Sequence, residues 1–74
     1  MLKEFPWVEF YRQTLKIKIK FPFLRVGQIY FNTLLDINND LANIIRGTEN
    51  DPFYSDEKIP LFIQSITDYY KKEH

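Results

Sequence analysis

Four prolines, at positions 6, 22, 52 and 60, set where this chain can and cannot run as helix. Proline fixes its own φ and lacks an N–H, so it opens helices readily and is costly inside them. Between these points large apolar side chains recur every three to four residues. Val8, Tyr11, Leu15 and Ile19 follow Pro6 at that spacing, which predicts a first helix over 6–19 with this stripe turned to the core. The run Lys16-Ile17-Lys18-Ile19-Lys20-Phe21 also alternates as a strand does, and β-branched isoleucine favours strands. Helix is preferred, because a lone strand has no partner for its backbone groups and no other segment alternates as clearly.

Pro22 biases Phe21 away from the α region, so it ends the first helix and is placed to open a second. Val26, Ile29, Tyr30, Leu34 and Ile37 form one stripe of a helix over 23–37. Phe31 and Leu35 widen that stripe enough to be covered from two sides, which makes this the central helix. Asn38 is the expected N-cap of a short helix over 39–46, with Asp40 in its first turn and Gly47 as the left-handed residue beyond its end. Residues 48–55 have the chemistry of an ordered loop, with Asn50 and Asp51 before Pro52 and the aromatics Phe53 and Tyr54 after it as anchors. Ser55 or Asp56 is expected to cap the last helix. Its apolar face is Ile59, Phe62, Ile63, Ile66 and Tyr70, and Lys71 and Lys72 close it. The fold class expected is an all-α domain spanning 1–74, of three principal helices and a short fourth element, with the 47–57 loop packed on the central helix.

A chain of 74 residues buries only about 60% of its unfolded surface, so its seven Phe, five Tyr and one Trp must substitute for size. No cysteine is present, which excludes a disulfide framework and thiolate metal ligation and agrees with a reducing cytosol. The one histidine, His74, is the last residue and a poor support for a catalytic dyad or a zinc site. No apolar run approaches the roughly 18 residues that span a bilayer, and Met1-Leu2-Lys3-Glu4-Phe5-Pro6 lacks the apolar core of a signal peptide. A soluble, cytoplasmic protein is expected. The formal net charge is zero, yet residues 1–27 carry six basic side chains against two acidic and residues 28–74 carry four against eight. That division suits attraction between halves or between copies; nucleic-acid binders more often carry an overall basic excess.

Few constellations carry chemistry. Asp36-Ile37-Asn38-Asn39-Asp40 imitates the start of a calcium loop, but Leu41 stands where glycine is needed and Gly47 where a bidentate glutamate is needed. A helix boundary explains the same letters, and no metal or cofactor is expected. Asp51, Asp56 and Glu57 lie close enough to form an acid–base pair, without a nucleophile or oxyanion hole nearby; capping accounts for them. Arg25, Gln28 and Asn32 form one polar ridge on the second helix, able either to grip a ligand or, as the preferred reading, to tie down the loop. Arg46 is placed to pair with Asp51 across the turn after Gly47. Arg12, Lys16 and Lys20 form a basic stripe on the first helix, a solvated face in the preferred reading; in the other it meets nucleic acid or an acidic protein surface, with Trp7 and Phe10 beside it for stacking or packing. Trp7 and Tyr11 are read as core first, with contact to a partner as the alternative.

From residue 25 onward the chain carries Arg25-Val26-Gly27-Gln28, Phe31-Asn32, Leu34, Leu41-Ala42, Ile45-Arg46-Gly47-Thr48, Asp51-Pro52-Phe53-Tyr54, Asp56, Ile59-Pro60 and Phe62. This resembles a group of short uncharacterised proteins encoded by bacteriophages, with the pattern R-x-G-Q-x-x-F-N-x-L, L-A-x-x-I-R-G-T, D-P-F-Y and I-P-x-F. The likeness covers about half the chain and leaves the first 24 residues without a counterpart. Asn39 stands where the group often has proline. The resemblance implies no catalytic activity; it implies a small accessory protein that binds a protein of the host. The function expected is therefore a non-catalytic protein-interaction module that binds a host protein or self-associates, with Trp7, Tyr11, Arg12, Lys16, Lys20 and Arg25 as contact residues. The competing expectation is a nucleic-acid binder using Arg12, Lys16, Lys18, Lys20 and Arg25. An enzyme using the loop carboxylates and Arg46 is the least favoured.

Overall fold

The computed structural model describes residues 4–72. Among them the chain forms four α-helices and one 3₁₀ turn, with no strand: α1 Trp7–Lys20, α2 Val26–Ile37, α3 Asn39–Ile45, the 3₁₀ turn Asp56–Lys58 and α4 Ile59–Lys72. The all-α expectation is met, and the lysine–isoleucine tract is helical through Lys20.

Pro6 sits just outside α1, and its carbonyl accepts from Phe10 N at 2.9 Å. At the other end the second helix begins three residues later than expected. Phe21 and Leu24 close a turn, and Arg25 is extended at φ −73°, ψ 149° before Val26 starts the helix. The cause lies in α1: the Lys18 ammonium donates to the carbonyls of Pro22 at 3.0 Å and Leu24 at 2.8 Å. Those carbonyls are thereby satisfied outside any helix.

The core is built from Phe5, Phe10, Phe31, Leu34, Leu41, Ala42, Ile45, Phe62 and Ile66, with Trp7, Tyr30, Phe53 and Tyr70 among the half-buried side chains against it. α2 is central, touching α1, α3 and the 3₁₀ turn. Phe5 fastens the start of the described chain to the end of α4 through edge-on contact with Tyr70 at 5.3 Å, and Phe10 meets Tyr30 at 5.3 Å. Edge-to-face pairs of this kind add about 0.5–1.5 kcal/mol each beyond the area they bury.

The expected core stripe of α1 is on the wrong side. Val8, Tyr11, Leu15 and Ile19 are exposed, and Phe10 and Thr14 are buried in their place. α1 carries two sets at helical spacing, 7-10-14-17 and 8-11-15-19, and the first contains the larger rings. Burying Trp7 and Phe10 removes more apolar area from water than burying valine and leucine, so the first set wins. Thr14 is tolerated there because its hydroxyl donates to the Tyr11 carbonyl at 2.8 Å; buried Thr33 does the same to Ile29.

Asn38 caps α3 as expected, its Oδ1 accepting from Leu41 N at 3.0 Å, and it also donates to the Tyr70 hydroxyl at 2.8 Å. Gly47 follows with φ +77°, a conformation L side chains rarely adopt. The last helix departs from expectation at its start: neither Ser55 nor Asp56 caps it, and the 3₁₀ turn leads into Ile59 and Pro60 instead. Phe62 and Ile66 are buried on the expected face of α4. No helix among the described residues is long and apolar enough to cross a membrane. His74 and Met1–Lys3, on which parts of the sequence argument rest, lie outside the described residues.

Candidate interaction surface

Two places gather the polar and aromatic residues singled out in the sequence. The first is the seam where the 47–57 loop meets the start of α2. Asp51 pins the loop from within, accepting from Gly47 N at 2.7 Å on one carboxylate oxygen and from Phe53 N at 2.9 Å on the other. Asp56 reaches across to α2, accepting from Gly27 N at 2.8 Å, and so caps a helix distant in sequence instead of its own. Arg25 donates to the Phe53 carbonyl and stands 3.4 Å from the Asp56 carboxylate. Gly27 makes this approach possible: a Cβ there would lie 2.2 Å from the Pro52 carbonyl oxygen and 2.7 Å from Asp56 Oδ1. Only glycine lets the two backbones come so close.

The ridge of Arg25, Gln28 and Asn32 thus divides. Arg25 ties the loop, as expected, while Gln28 is half-buried and Asn32 exposed, and neither side chain hydrogen-bonds the loop among the described residues. Arg46 does not pair with Asp51. Its guanidinium lies over the Phe31 ring at 5.3 Å and its Nε donates to Asn43 at 3.3 Å, while the Asp51 oxygens accept from backbone N–H groups inside the turn. Asn32, Arg46, Asp51 and Tyr54 line a pocket of about 260 Å³ beside Phe31 and Phe53.

The second place is the outer face of α1. Val8 is 74% exposed, Leu15 61%, Ile19 72% and Tyr11 45%, all on one side of the helix; the connecting turn adds Phe23, 79% exposed. Beside them a groove of about 280 Å³ runs between α1 and α2, lined by Tyr11, Thr14, Leu15 and Lys18 on one side and Val26, Ile29 and Tyr30 on the other. Burial raises the Tyr30 hydroxyl pKa above its ordinary value of 10.0, and neighbouring Tyr11 adds to the shift. Trp7, half-buried, stacks on Tyr11 at 5.8 Å and packs edge-on against Phe5 at 4.6 Å, so it joins the surface to the core.

The basic residues separate by role. Arg12, Lys16 and Lys20 are exposed along the edge of this face; Arg12 has Glu9 at 3.7 Å, and Lys20 stands 5.7 Å from the Phe21 ring. Lys18 and Arg25 are occupied with carbonyls of their own chain. Phe10, expected beside the basic stripe for stacking, is fully buried and reaches no surface, because it fills the centre of the aromatic core. Sequence reasoning missed Val8, Leu15 and Ile19 as surface and Gly27 and Lys18 as structural residues. The duplicate 7-10-14-17 spacing was the available signal for the first three.

Among the described residues no cluster of three or more histidine, cysteine or acidic side chains could hold a metal ion. No protein-family model matches the chain. No curated protein and no solved structure matches it either.

Proposed function

We propose that this protein is a non-catalytic interaction module that engages another protein through the outer face of α1. The observation that carries this reading is the continuous row of Val8, Tyr11, Leu15 and Ile19, left exposed on a domain whose core is already complete without it. Contiguous apolar surface of this kind marks interaction sites on small proteins, and tyrosine and tryptophan with nearby arginine are the usual anchors. The loop polar groups support the same reading by their use: Arg25, Asp51 and Asp56 are spent on backbone groups, which leaves them poorly placed for chemistry on a substrate.

The likeness of the segment from Arg25 onward to phage-encoded proteins supports a host protein as the partner and the host cytoplasm as the place of action. Nucleic-acid binding is the weaker reading, since two of its five cations, Lys18 and Arg25, are occupied. The test is affinity capture by the wild-type chain and by a Leu15→Asp, Ile19→Asp variant, with sedimentation of each alone. A partner or self-association that disappears in the variant is expected. A monomer that captures the same proteins in both forms, or none, would count against the proposal.

A further inference from the structure

The groove beside this face has a definite chemistry. Two of its polar groups are already satisfied: the Thr14 hydroxyl donates to Tyr11 O and the Lys18 ammonium to Pro22 and Leu24 carbonyls. An occupant gains by inserting apolar side chains between Leu15 and Val26, and the Tyr11 and Tyr30 hydroxyls beside them offer hydrogen bonds at its margin. The exposed row runs from Val8 to Ile19, about 16 Å at the helical rise of about 1.5 Å per residue. That length suits a helix of several turns better than a small molecule.

Charge then selects among helices. Arg12, Lys16 and Lys20 are spaced four apart and therefore form one basic row along the edge of the apolar face. Glu9, beside Arg12 at the start of α1, is the one acidic side chain on this helix. A second copy of the chain is a poor occupant. Packed antiparallel on this face, it brings the two basic rows together; packed parallel, it sets each row against the Lys18 edge. A phosphate backbone would satisfy the row and leave the apolar face wet.

Resting on the reading of α1 as a docking face, we infer that its outer face binds an amphipathic helix of a partner protein, apolar toward Val8, Tyr11, Leu15 and Ile19, with the α1–α2 groove on one flank and an acidic edge on the other that meets Arg12, Lys16 and Lys20. The test is selection from a displayed library of helical peptides of roughly 18 residues, long enough to cover the exposed row, randomised at the apolar face and both flanks. Clones enriched in large apolar residues on one face and in Asp or Glu on one flank are expected. Their affinity should fall roughly tenfold or more with Leu15→Asp, as for loss of an interface anchor, and comparably with Lys16→Glu combined with Lys20→Glu. Circular dichroism melts confirm that the variants remain folded. Clones that need Leu15 but carry neutral or basic flanks would overturn the acidic-helix assignment while keeping α1 as a docking face. Clones indifferent to Leu15→Asp, or no enrichment at all, would overturn both.

Discussion

At the seam between α2 and the 47–57 loop, Arg25, Asp51 and Asp56 bind backbone groups of the chain itself, while along the outer face of α1 large apolar side chains stand in solvent. The usual expectation assigns these places the other way round: charged loops for recognition, apolar helix stripes for the core. In so small a domain the helices are few and the core is filled by rings. Once Phe10, Tyr30 and Phe62 meet around α2, a second apolar face of α1 has nothing left to cover it. A long loop, conversely, holds its shape only if its own polar groups find partners. The contrast teaches that partner contacts should be sought on the redundant apolar face and not among the loop charges.

The sharpest way to break this comparison lies within α1. Phe10→Ala should cost about 3–5 kcal/mol, the range for truncating a buried aromatic. Leu15→Ala, on the same helix, should stay within about 0.5 kcal/mol. Denaturant midpoints of the two variants decide the matter, and similar losses would mean that the outer face is covered in solution. Next in size is Gly27→Ala. Helix propensity alone favours alanine by about 1 kcal/mol, but the added Cβ meets backbone at Pro52, which cannot swing aside as a side-chain tip can. A net loss of about 2–3 kcal/mol is expected from overpacking. A stabilised variant would show that the loop leaves α2 at little cost.

Much of this was legible in the chain. Pro6 and Asn38 marked helix starts and Gly47 a helix end, because each acts through its own backbone or the adjacent turn. Phe62 and Ile66 were placed on the buried side of α4, whose apolar residues leave one choice of face. The α1 face was not legible, since two apolar sets compete there and the winner depends on rings contributed by α2 and α4. The true role of Asp56 was hidden for a similar reason: its partner, Gly27, lies far back in the chain, and local capping rules look only forward. For the candidate surface, Arg12, Lys16 and Lys20 are exposed as the sequence suggests, whereas its apolar centre, Tyr11 included, reads in the sequence as core.

A smaller effect separates capping from charge at the seam. Asp56→Ala removes the acceptor for Gly27 N and should cost about 1–2 kcal/mol, as for loss of an N-cap. Asp56→Asn keeps an acceptor and forfeits the ion pair with Arg25, which is half-exposed and worth little. It should therefore recover most of the loss. Equal destabilisation by both variants, read from thermal melts, would make the ion pair and not the cap the main contribution.

The smallest effect lies on the groove wall, between the two regions compared. Burial raises the Tyr30 pKa in the folded chain above the value of 10.0 it has when unfolded. Above that value the unfolded state loses its proton first, so Tyr30 favours unfolding increasingly as pH climbs toward its folded pKa; below the unfolded value its contribution is fully present. Tyr30→Phe should thus be within about 0.5 kcal/mol of wild type at neutral pH, where the hydroxyl is protonated in both states. From about pH 10 upward, where free tyrosine ionises, the variant should lose stability less steeply than wild type. Melting curves collected across that interval check the sign. Superimposable pH profiles would place the Tyr30 hydroxyl in open water, and the groove would then be too shallow to seat an apolar side chain.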